Sequence, residues 1–287
     1  MIQLIAMDMD GTLLTPPPSH ISENTVRTLK QAAGKGIHLA LVSGRLVDDA
    51  SQFASDAGLD MAVIGLNGSC MALHPFAPLS ELHHFDRDQG KNILKALLQL
   101  NVFFGMFCDH DLYVHEADPD HPLPDMVWGT YLSSGRGKIY RDDAHAYVLA
   151  DRGISKFVVM DLQSAGFLDG LSISLQALDP MPALSSSWES NLEINPPGVT
   201  KGIALQKLCS MLSIPMEDVM AIGDNSNDRS MLDCAGYPVA MGNATPDILA
   251  CARYRTLTNT EDGVAAAVST LALHQNMKGV VCLEVPH

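Results

Sequence analysis

Basic residues are scarce in this sequence. Its 287 residues include 18 Lys and Arg against 33 Asp and Glu, which gives a formal net charge of −15. Because nucleic-acid backbones are bound mainly through Lys and Arg, this composition argues against a nucleic-acid partner. A phosphorylated ligand would likewise gain no attraction from the overall charge, and would depend on positive groups close to it.

Long apolar runs and paired cysteines are also missing. No apolar stretch approaches the roughly 18 residues of a membrane-spanning helix. The first apolar segment is interrupted at Asp8, too early for a signal peptide. The six cysteines include no Cys-x-x-Cys pair, which favours free thiols over disulfides or a zinc site. They are Cys70, Cys108, Cys209, Cys234, Cys251 and Cys282. We therefore expect a cytoplasmic protein without a membrane partner.

Two aspartates end the first apolar segment. Residues 2–7 predict a short buried strand, and Asp8, Met9, Asp10 and Gly11 follow it. Residues two apart on a strand point to the same side, so we expect the two carboxylates to lie close together. They would repel each other unless a proton or a cation compensates, and Mg²⁺ is the simplest cation because it prefers oxygen ligands. The alternative is an ordinary surface turn, in which Asp and Gly are common.

A small hydroxyl and a glycine follow the second apolar strand. Residues 37–42 predict that strand, and Ser43, Gly44 and Arg45 lead from it into a helix. A hydroxyl and free backbone N–H groups at a helix start are suited to binding an anion, although Ser-Gly is also a common turn. Because the carboxyl ends of parallel strands line one crevice, we expect Ser43 to lie near Asp8.

Two further polar residues stand beside a predicted strand or helix. Asn67 follows a third strand, predicted at residues 61–64, where it is either a turn residue or a ligand contact. Lys201 follows Thr200, which is suited to capping the next helix. A cation is unfavourable at a helix N-terminus, unless it meets a bound anion there. We therefore interpret Lys201 as an anion-binding residue, with a surface lysine as the alternative.

Acids and amides also end the strand predicted at Val219–Gly223. Asp224, Asn225, Asn227 and Asp228 follow it. Such groups at the end of a buried strand have no role in packing, and it costs free energy to desolvate them without partners. With the first strand end, they predict an acid-lined site that binds a metal and a phosphate.

Four segments resemble the motifs of the haloacid dehalogenase superfamily of phosphohydrolases. They are Asp-x-Asp-Gly-Thr-Leu at 8–13, Ser-Gly at 43–44, the lysine at 201 and Gly-Asp-x-x-Asn-Asp at 223–228. Nearly the whole chain, residues 277–287 excepted, resembles the Cof-type branch (class IIB), whose members carry a C2-type cap between the second and third motifs. The resemblance implies an α/β fold, in which a Rossmann-like parallel-sheet core carries an inserted α+β cap. We place the core at residues 1–82 and 188–287, and the cap, which would set substrate specificity, at 83–187.

The resemblance also implies a mechanism, the hydrolysis of phosphate monoesters with Mg²⁺ as the cofactor. It makes Asp8 the nucleophile that forms an aspartyl-phosphate, and Asp10 the general acid and base. The ligands of Mg²⁺ would be Asp8, the backbone carbonyl of Asp10, and Asp224. Asp228 would orient Lys201 or a metal-bound water. Contacts to phosphate or substrate are implied for Met9, Ser43, Gly44, Arg45, Asn67, Lys201 and Asn227.

One position departs from the pattern of the resembled family. Relatives usually carry a lysine a few residues after the Asn-Ala pair that stands here at Asn243 and Ala244. Residues 246–253 contain no lysine. Arg253 is the candidate substitute.

The predicted cap combines helices and strands. Its periodicity predicts a helix at 88–100, a hairpin at 102–115, a helix at 126–132 and strands at 157–160 and 171–175. Six histidines are interpreted as dispersed surface residues, because their spacings match no metal motif. They are His83, His84, His110, His115, His121 and His145. Five aromatic residues are interpreted as cap core: Phe103, Phe104, Phe107, Tyr113 and Trp128.

The charge of the cap bears on the substrate. Residues 83–188 contain eight Lys and Arg against fourteen Asp and Glu, a net charge of −6, which favours a small substrate over a large polyanion. Sugar phosphates, or phosphorylated cofactors such as pyridoxal phosphate, are what the resemblance suggests. The alternatives are a phosphomutase or phosphotransferase that uses the same aspartyl-phosphate, and a non-catalytic protein that binds a phosphorylated metabolite. The sequence carries no prediction of oligomeric state.

Overall fold

The chain folds into two compact units. The computed structural model describes residues 1–16, 19–117, 137–161, 166–187 and 190–275, together with the backbone of 281–282. One unit comprises Met1–Leu79 and Thr200–His287, and the other comprises Ser80–Val199. The first unit is therefore assembled from two separate segments of chain.

Strands and helices alternate through most of the described sequence. The strands are β1 (Leu4–Met7), β2 (His38–Val42), β3 (Ala62–Gly65), β4 (Cys70–Ala72), β5 (Leu79–Leu82), β6 (Phe103–Cys108), β7 (Asp111–His115), β8 (Ile139–Tyr140), β9 (Lys156–Met160), β10 (Ala183–Ser185), β11 (Asn191–Asn195), β12 (Val219–Gly223), β13 (Tyr237–Ala240), β14 (Tyr254–Arg255) and β15 (Val281–Cys282). The α-helices are α1 (Glu23–Gly34), α2 (Val47–Asp56), α3 (Arg87–Leu100), α4 (Asp143–Arg152), α5 (Phe167–Gln176), α6 (Lys201–Leu212), α7 (Arg229–Cys234), α8 (Pro246–Cys251) and α9 (Gly263–Ala267). None of the helices in the described ranges is both long and apolar enough to cross a bilayer.

The first unit contributes eight complete strands to its sheet, counted over the described residues. Their order is β15-β14-β13-β12-β1-β2-β3-β4, and the six strands from β14 to β3 run parallel. The apolar sequences of β1 and β12 suit strands that are buried on both faces. Met7 pairs with Leu41 of β2 and Ile222 of β12. The carboxyl ends of these three neighbouring strands therefore lie at one edge of the sheet, directly before Asp8, Ser43 and Asp224.

Two helix caps of the first unit follow directly from the sequence. The side chain of Ser22 accepts a hydrogen bond from the N–H of Thr25 at the start of α1. The side chain of Thr200 accepts one from the N–H of Ile203 at the start of α6. Each cap satisfies a backbone donor that the first helical turn leaves without a partner. The second cap fixes the point where α6 begins, and so the position of Lys201.

The second unit places helices on one face of a mostly antiparallel sheet. Its strand order over the described residues is β10-β11-β9-β6-β7-β8. Alternate residues of the strands pack with α3, α4 and α5 in one apolar cluster, which includes Phe104, Tyr113 and Phe157. Phe107 is also buried and Phe103 is half-buried. Trp128, His121 and the helix predicted at 126–132 lie outside the described residues.

Two sequence-based predictions for this unit were wrong. Residues 171–175 were predicted to form a strand but belong to the helix α5, because the side chains of Leu171 and Leu175 recur at helical spacing on its buried face. The core was predicted to resume at residue 188. Instead, β11 pairs with β9 and β10 of the second unit, and the division falls between Val199 and Thr200.

Candidate active site

Lys201 forms the centre of the site. It is the first residue of α6, and its side chain is fully buried. Its Nζ lies 2.5 Å from Oδ1 of Asp8 and 2.6 Å from Oδ1 of Asp228. A buried ammonium group is tolerated only when anions satisfy it closely, and these two carboxylates do so. Lys201 thus joins the carboxyl ends of β1 and β12.

Asp228 holds the loop that follows β12. Its Oδ2 accepts hydrogen bonds from the backbone N–H groups of Asp224 (2.8 Å) and Asn225 (3.1 Å), while its Oδ1 accepts one from Lys201. Both oxygens of Asp228 are therefore engaged within the protein. A Cβ atom at Gly223 would lie 2.6 Å from the Asp228 side chain, so a residue without a side chain is required before this loop.

Asp224 is paired with a hydroxyl group, whereas Asp8 and Asp228 are paired with the ammonium group of Lys201. Its Oδ1 accepts a hydrogen bond of 2.7 Å from Oγ1 of Thr12. Among the described residues, no Lys or Arg nitrogen forms an ion pair with it. Gly11, at φ 81°, packs against its other oxygen. Asp224 is therefore the acid of this cluster whose charge the described side chains leave least compensated.

The pKa values follow from this uneven pairing. Burial raises the pKa of Asp8 well above its usual range, and the carboxylates of Asp228 and Asp224 add to the effect against the opposing charge of Lys201. Burial, together with Asp228, raises the pKa of Asp224 to about 7. Burial lowers the pKa of Lys201, but Asp228 and Asp8 outweigh it and hold that pKa above its usual range. The cluster therefore keeps its lysine charged and has a deficit of positive charge.

Asp10 is bound by Arg45. The Nε of Arg45 lies 2.7 Å from Oδ2 of Asp10, and a terminal guanidinium nitrogen of Arg45 lies 2.5 Å from Oδ1. This two-pronged geometry matches the fork of a guanidinium to the two oxygens of a carboxylate. The first and second motifs are thus connected through these two side chains.

Ser43 is hydrogen-bonded to both Arg45 and Asn67. The buried Oγ of Ser43 accepts a hydrogen bond of 3.1 Å from the N–H of Arg45. The carbonyl of Ser43 accepts one of 3.0 Å from the N–H of Asn67, which is buried and has the left-handed φ of 57°. Gly44 lies between Ser43 and Arg45 in the segment that leads to α2. The structure therefore brings these predicted residues into one hydrogen-bonded group.

Three further residues singled out from the sequence lie outside these pairs. The side chain of Met9 is buried, so only its backbone can reach a ligand. Asn227 is partly exposed in the short 3₁₀ turn Ser226–Asp228. Arg253 is exposed, and its guanidinium stacks 5.5 Å from the ring centre of Tyr254.

Three residues that fix the loop after β1 were not predicted from the sequence. Thr12 stands next to Gly11 in the first motif, and its hydroxyl was a signal that could have been used. Asn243 donates from Nδ2 to the carbonyl of Gly11 at 2.8 Å, and Asn259 donates from Nδ2 to the carbonyl of Leu14 at 2.8 Å. These two amides are more than 230 positions from their partners, so no local pattern could indicate the contacts.

The donor set suits a hard divalent cation. Carboxylate oxygens of Asp8, Asp224 and Asp228 lie within 4.8 Å of one another. Because Asp228 is already bound by Lys201 and two N–H groups, Asp8 and Asp224 are the better ligands. No other group of three or more Asp, Glu, His or Cys with such spacing occurs in the described part of the chain. Mg²⁺ prefers oxygen ligands of this kind, and the three carboxylates have one ammonium group, that of Lys201, among them. The residues present therefore fit Mg²⁺.

The fold and the site define a class of protein. The model of the haloacid dehalogenase-like hydrolase family matches residues 5–268, so the chain belongs to this family. Phosphatase YwpJ from Bacillus subtilis is 31% identical over 285 residues, which cover 92% of this chain and 98% of the relative. An HMP-PP phosphatase from Cronobacter sakazakii is 33% identical over 255 residues, which cover 87% and 88% of the two chains.

A solved structure agrees with this assignment. A haloacid dehalogenase-like hydrolase from B. subtilis superposes with a TM-score of 0.81 at 29% identity, over 94% of this chain and 100% of the other. These comparisons confirm the family predicted from the sequence, its α/β fold and its enzyme class, a phosphohydrolase.

Proposed function

We propose that this protein is a Mg²⁺-dependent phosphatase that hydrolyses small phosphorylated metabolites through an aspartyl-phosphate on Asp8. The observation that carries the proposal is the ion pair of Lys201 with Asp8 beside the carboxyl of Asp224, which has a hydroxyl and no Lys or Arg as its hydrogen-bond partner among the described side chains. Lys201 engages Oδ1 of Asp8, which leaves the other oxygen of that carboxylate for bond formation.

The first half of the reaction transfers the phosphoryl group to Asp8. A carboxylate oxygen of Asp8 forms a bond to phosphorus as the bond from phosphorus to the leaving oxygen breaks. The carboxyl group of Asp10 gives its proton to that leaving oxygen, which departs as an alcohol. The phosphoryl group then remains on Asp8 as a mixed anhydride.

The second half of the reaction returns the enzyme to its starting state. The carboxylate of Asp10 takes a proton from water as the water oxygen bonds to phosphorus, and the bond from phosphorus to Asp8 breaks. Inorganic phosphate leaves, and Asp10 is protonated again. The sum of the two halves is one phosphate monoester and one water converted to one alcohol and one phosphate.

Positive and polar groups of the chain would hold the phosphoryl oxygens during both steps. Lys201 supplies the positive charge, Ser43 a hydroxyl, and the N–H groups of Met9 and Gly44, with the amide of Asn227, further donors. Asp8, Asp224 and the backbone carbonyl of Asp10 would hold Mg²⁺, with Asp228 placing Lys201. When bound, Mg²⁺ neutralises charge so that an anionic carboxylate can approach an anionic phosphoryl group.

The substrate is proposed to be a small metabolite. The relatives named above include a phosphatase named for its action on HMP-PP, and the charge of −6 on residues 83–188 disfavours a large polyanion. Arg45 and Asn67 are the substrate contacts that the sequence resemblance implies. The five described cysteines are free thiols, which supports a cytoplasmic location.

Phosphate release from a panel of phosphorylated metabolites, with Mg²⁺ and with EDTA, tests the proposal. We expect Mg²⁺-dependent release from a few small compounds, and its loss in D8N. Survival of turnover in D8N would exclude Asp8 as the nucleophile. Transfer of the phosphoryl group from one position of the substrate to another, without free phosphate, would identify a phosphomutase. Binding without any turnover would identify a non-catalytic protein.

A further inference from the structure

The guanidinium of Arg45 donates one hydrogen bond to each oxygen of the Asp10 carboxylate, and the second lone pair of each oxygen can still carry a proton. We infer that Arg45 is a positioning residue that fixes the orientation of Asp10, so that its carboxyl group meets the leaving oxygen of the substrate. The inference rests on the proposed function and deepens it. It gives Arg45 a different task from the substrate contact that the family resemblance implies.

Asp10 has little else to fix its side chain. Its carboxylate is 48% exposed, and Gly11, which follows it, has a left-handed backbone conformation. Within the part of the chain that the structure describes, Arg45 is the only side chain that donates hydrogen bonds to it. Without that fork, an exposed aspartate is free to change its rotamer. A general acid that is displaced by about 1 Å can lose about 100-fold in rate.

Arg45 is itself held in place by several contacts, so it can fix the orientation of Asp10. Its side chain is 12% exposed, and its guanidinium lies 5.5 Å from the ring centre of Phe53. Its N–H binds Oγ of Ser43, and its carbonyl accepts a hydrogen bond of 2.8 Å from the N–H of Leu66. Arg45 is therefore fixed at its backbone, by two segments of the site, and at its side chain.

The site contains two cationic side chains, and each of them binds different acids. Lys201 binds Asp8 and Asp228, while Arg45 binds Asp10. Asp10 is thus kept out of the buried lysine cluster and left partly accessible. A lysine at position 45 could supply the same charge, but it could not occupy both carboxylate oxygens at a fixed angle.

The test compares two substrates that differ in their need for a proton. The leaving group of p-nitrophenyl phosphate departs as a stable anion, whereas an alkyl phosphate needs protonation of its leaving oxygen. We compare kcat/KM, which reports steps up to departure of the leaving group, for p-nitrophenyl phosphate and for the best alkyl phosphate of the metabolite panel. In R45M, we expect a loss of about 10- to 100-fold on the alkyl phosphate, and a loss at least threefold smaller on p-nitrophenyl phosphate. R45K should show the same pattern as R45M.

Three results would overturn the inference while leaving the proposed function intact. Equal losses on both substrates in R45M would show that Arg45 acts on the phosphoryl group, and full recovery in R45K would show that only its charge matters. In a D10N background, R45M should lower kcat/KM on the alkyl phosphate by less than about a further twofold, because both substitutions remove the same proton transfer. A further loss as large as that of R45M alone would also contradict the inference. Absence of phosphate release by the wild-type enzyme would instead refute the proposed function. Circular dichroism and the thermal midpoint of each variant check that it is folded.

Discussion

Gly11 lies so close to Asp224 that a Cβ atom at position 11 would be 2.3 Å from Oδ2 of Asp224. The absence of a side chain at Gly11 therefore leaves the space in which one of the proposed ligands of Mg²⁺ stands. The glycine of the first motif serves the site by this close approach as well as by its left-handed φ of 81°.

The substitution G11A should displace Asp224 and abolish most of the Mg²⁺-dependent turnover. G36A is a matched control, since Gly36 has nearly the same φ (82°), but no atom of the described residues lies within 4 Å of the position that its Cβ would take. Both variants should lose roughly 1–2 kcal/mol of stability from left-handed strain, measured by thermal unfolding. Only G11A should lose phosphate release, measured with saturating Mg²⁺. Activity of G11A within twofold of G36A would contradict the role of this contact.

The substitution D8N should remove activity without loss of stability. Burial and two neighbouring carboxylates raise the pKa of Asp8, so its charged form is unfavourable in the folded protein. Lys201 keeps Asp228 as a partner in the variant. We expect the thermal midpoint of D8N in EDTA to equal or exceed that of the wild type, with turnover at least 1,000-fold lower, roughly the loss seen when a nucleophile is removed. A large fall in the midpoint would show that the charge of Asp8 stabilises the fold.

The response to Mg²⁺ should depend on pH through Asp224. Its pKa in the folded protein is about 7, against about 3.9 in an unfolded chain. Between these values the folded protein holds a proton that the unfolded chain has lost, so the metal-free protein becomes less stable as pH rises. Mg²⁺ must displace that proton, so it should bind about tenfold more weakly at pH 6 than at pH 8.

Thermal midpoints with Mg²⁺ and with EDTA at the two pH values measure this effect. The rise in the thermal midpoint caused by Mg²⁺ should be larger at pH 8 than at pH 6. D224N should show a smaller rise in the midpoint at both pH values and a smaller difference between them than the wild type. An equal gain for the wild type at pH 6 and pH 8 would contradict the assignment of this titration to the metal site.

A buried ion pair in the second unit gives a test of stability away from the site. Lys156 and Glu193 pair at 2.7 Å across β9 and β11, with side chains 0% and 2% exposed. K156M would leave the carboxylate of Glu193 buried without the ammonium group that compensates its charge, and should cost roughly 3–5 kcal/mol in urea unfolding. The exposed pair of Arg229 with Asp233 is the control, because R229A should cost roughly 0–1 kcal/mol. Similar losses in the two variants would contradict this account.

The acids of the site could be located from the sequence because their spacing follows from strand geometry. Asp8 and Asp224 each stand directly after a short apolar strand, and parallel strands place such positions at one edge of a sheet. Thr200 and Lys201 could be interpreted from local capping and charge alone. These features need no knowledge of distant contacts.

The features that the sequence did not indicate depend on distant partners. The pairing of Arg45 with Asp10 was missed because the sequence shows a charged residue but not where its side chain points. β11 was assigned to the core, since its pairing with β9 and β10 cannot be inferred from its own residues. The alternation of Leu, Ser and Ile at residues 171–175 predicts a strand, and tertiary packing overrides that local pattern.

The division of the first unit into two segments has a consequence for synthesis of the protein. Lys201 emerges from the ribosome 193 residues after Asp8, a delay of about 10–40 s at ordinary rates of translation. The second unit, Ser80–Val199, is continuous and can fold during that delay. β1 cannot pair with β12 until β12 has been synthesised. The nascent chain therefore lacks the ion pair of Asp8 with Lys201 until both segments have been synthesised, and products truncated before Lys201 should be inactive even where they fold.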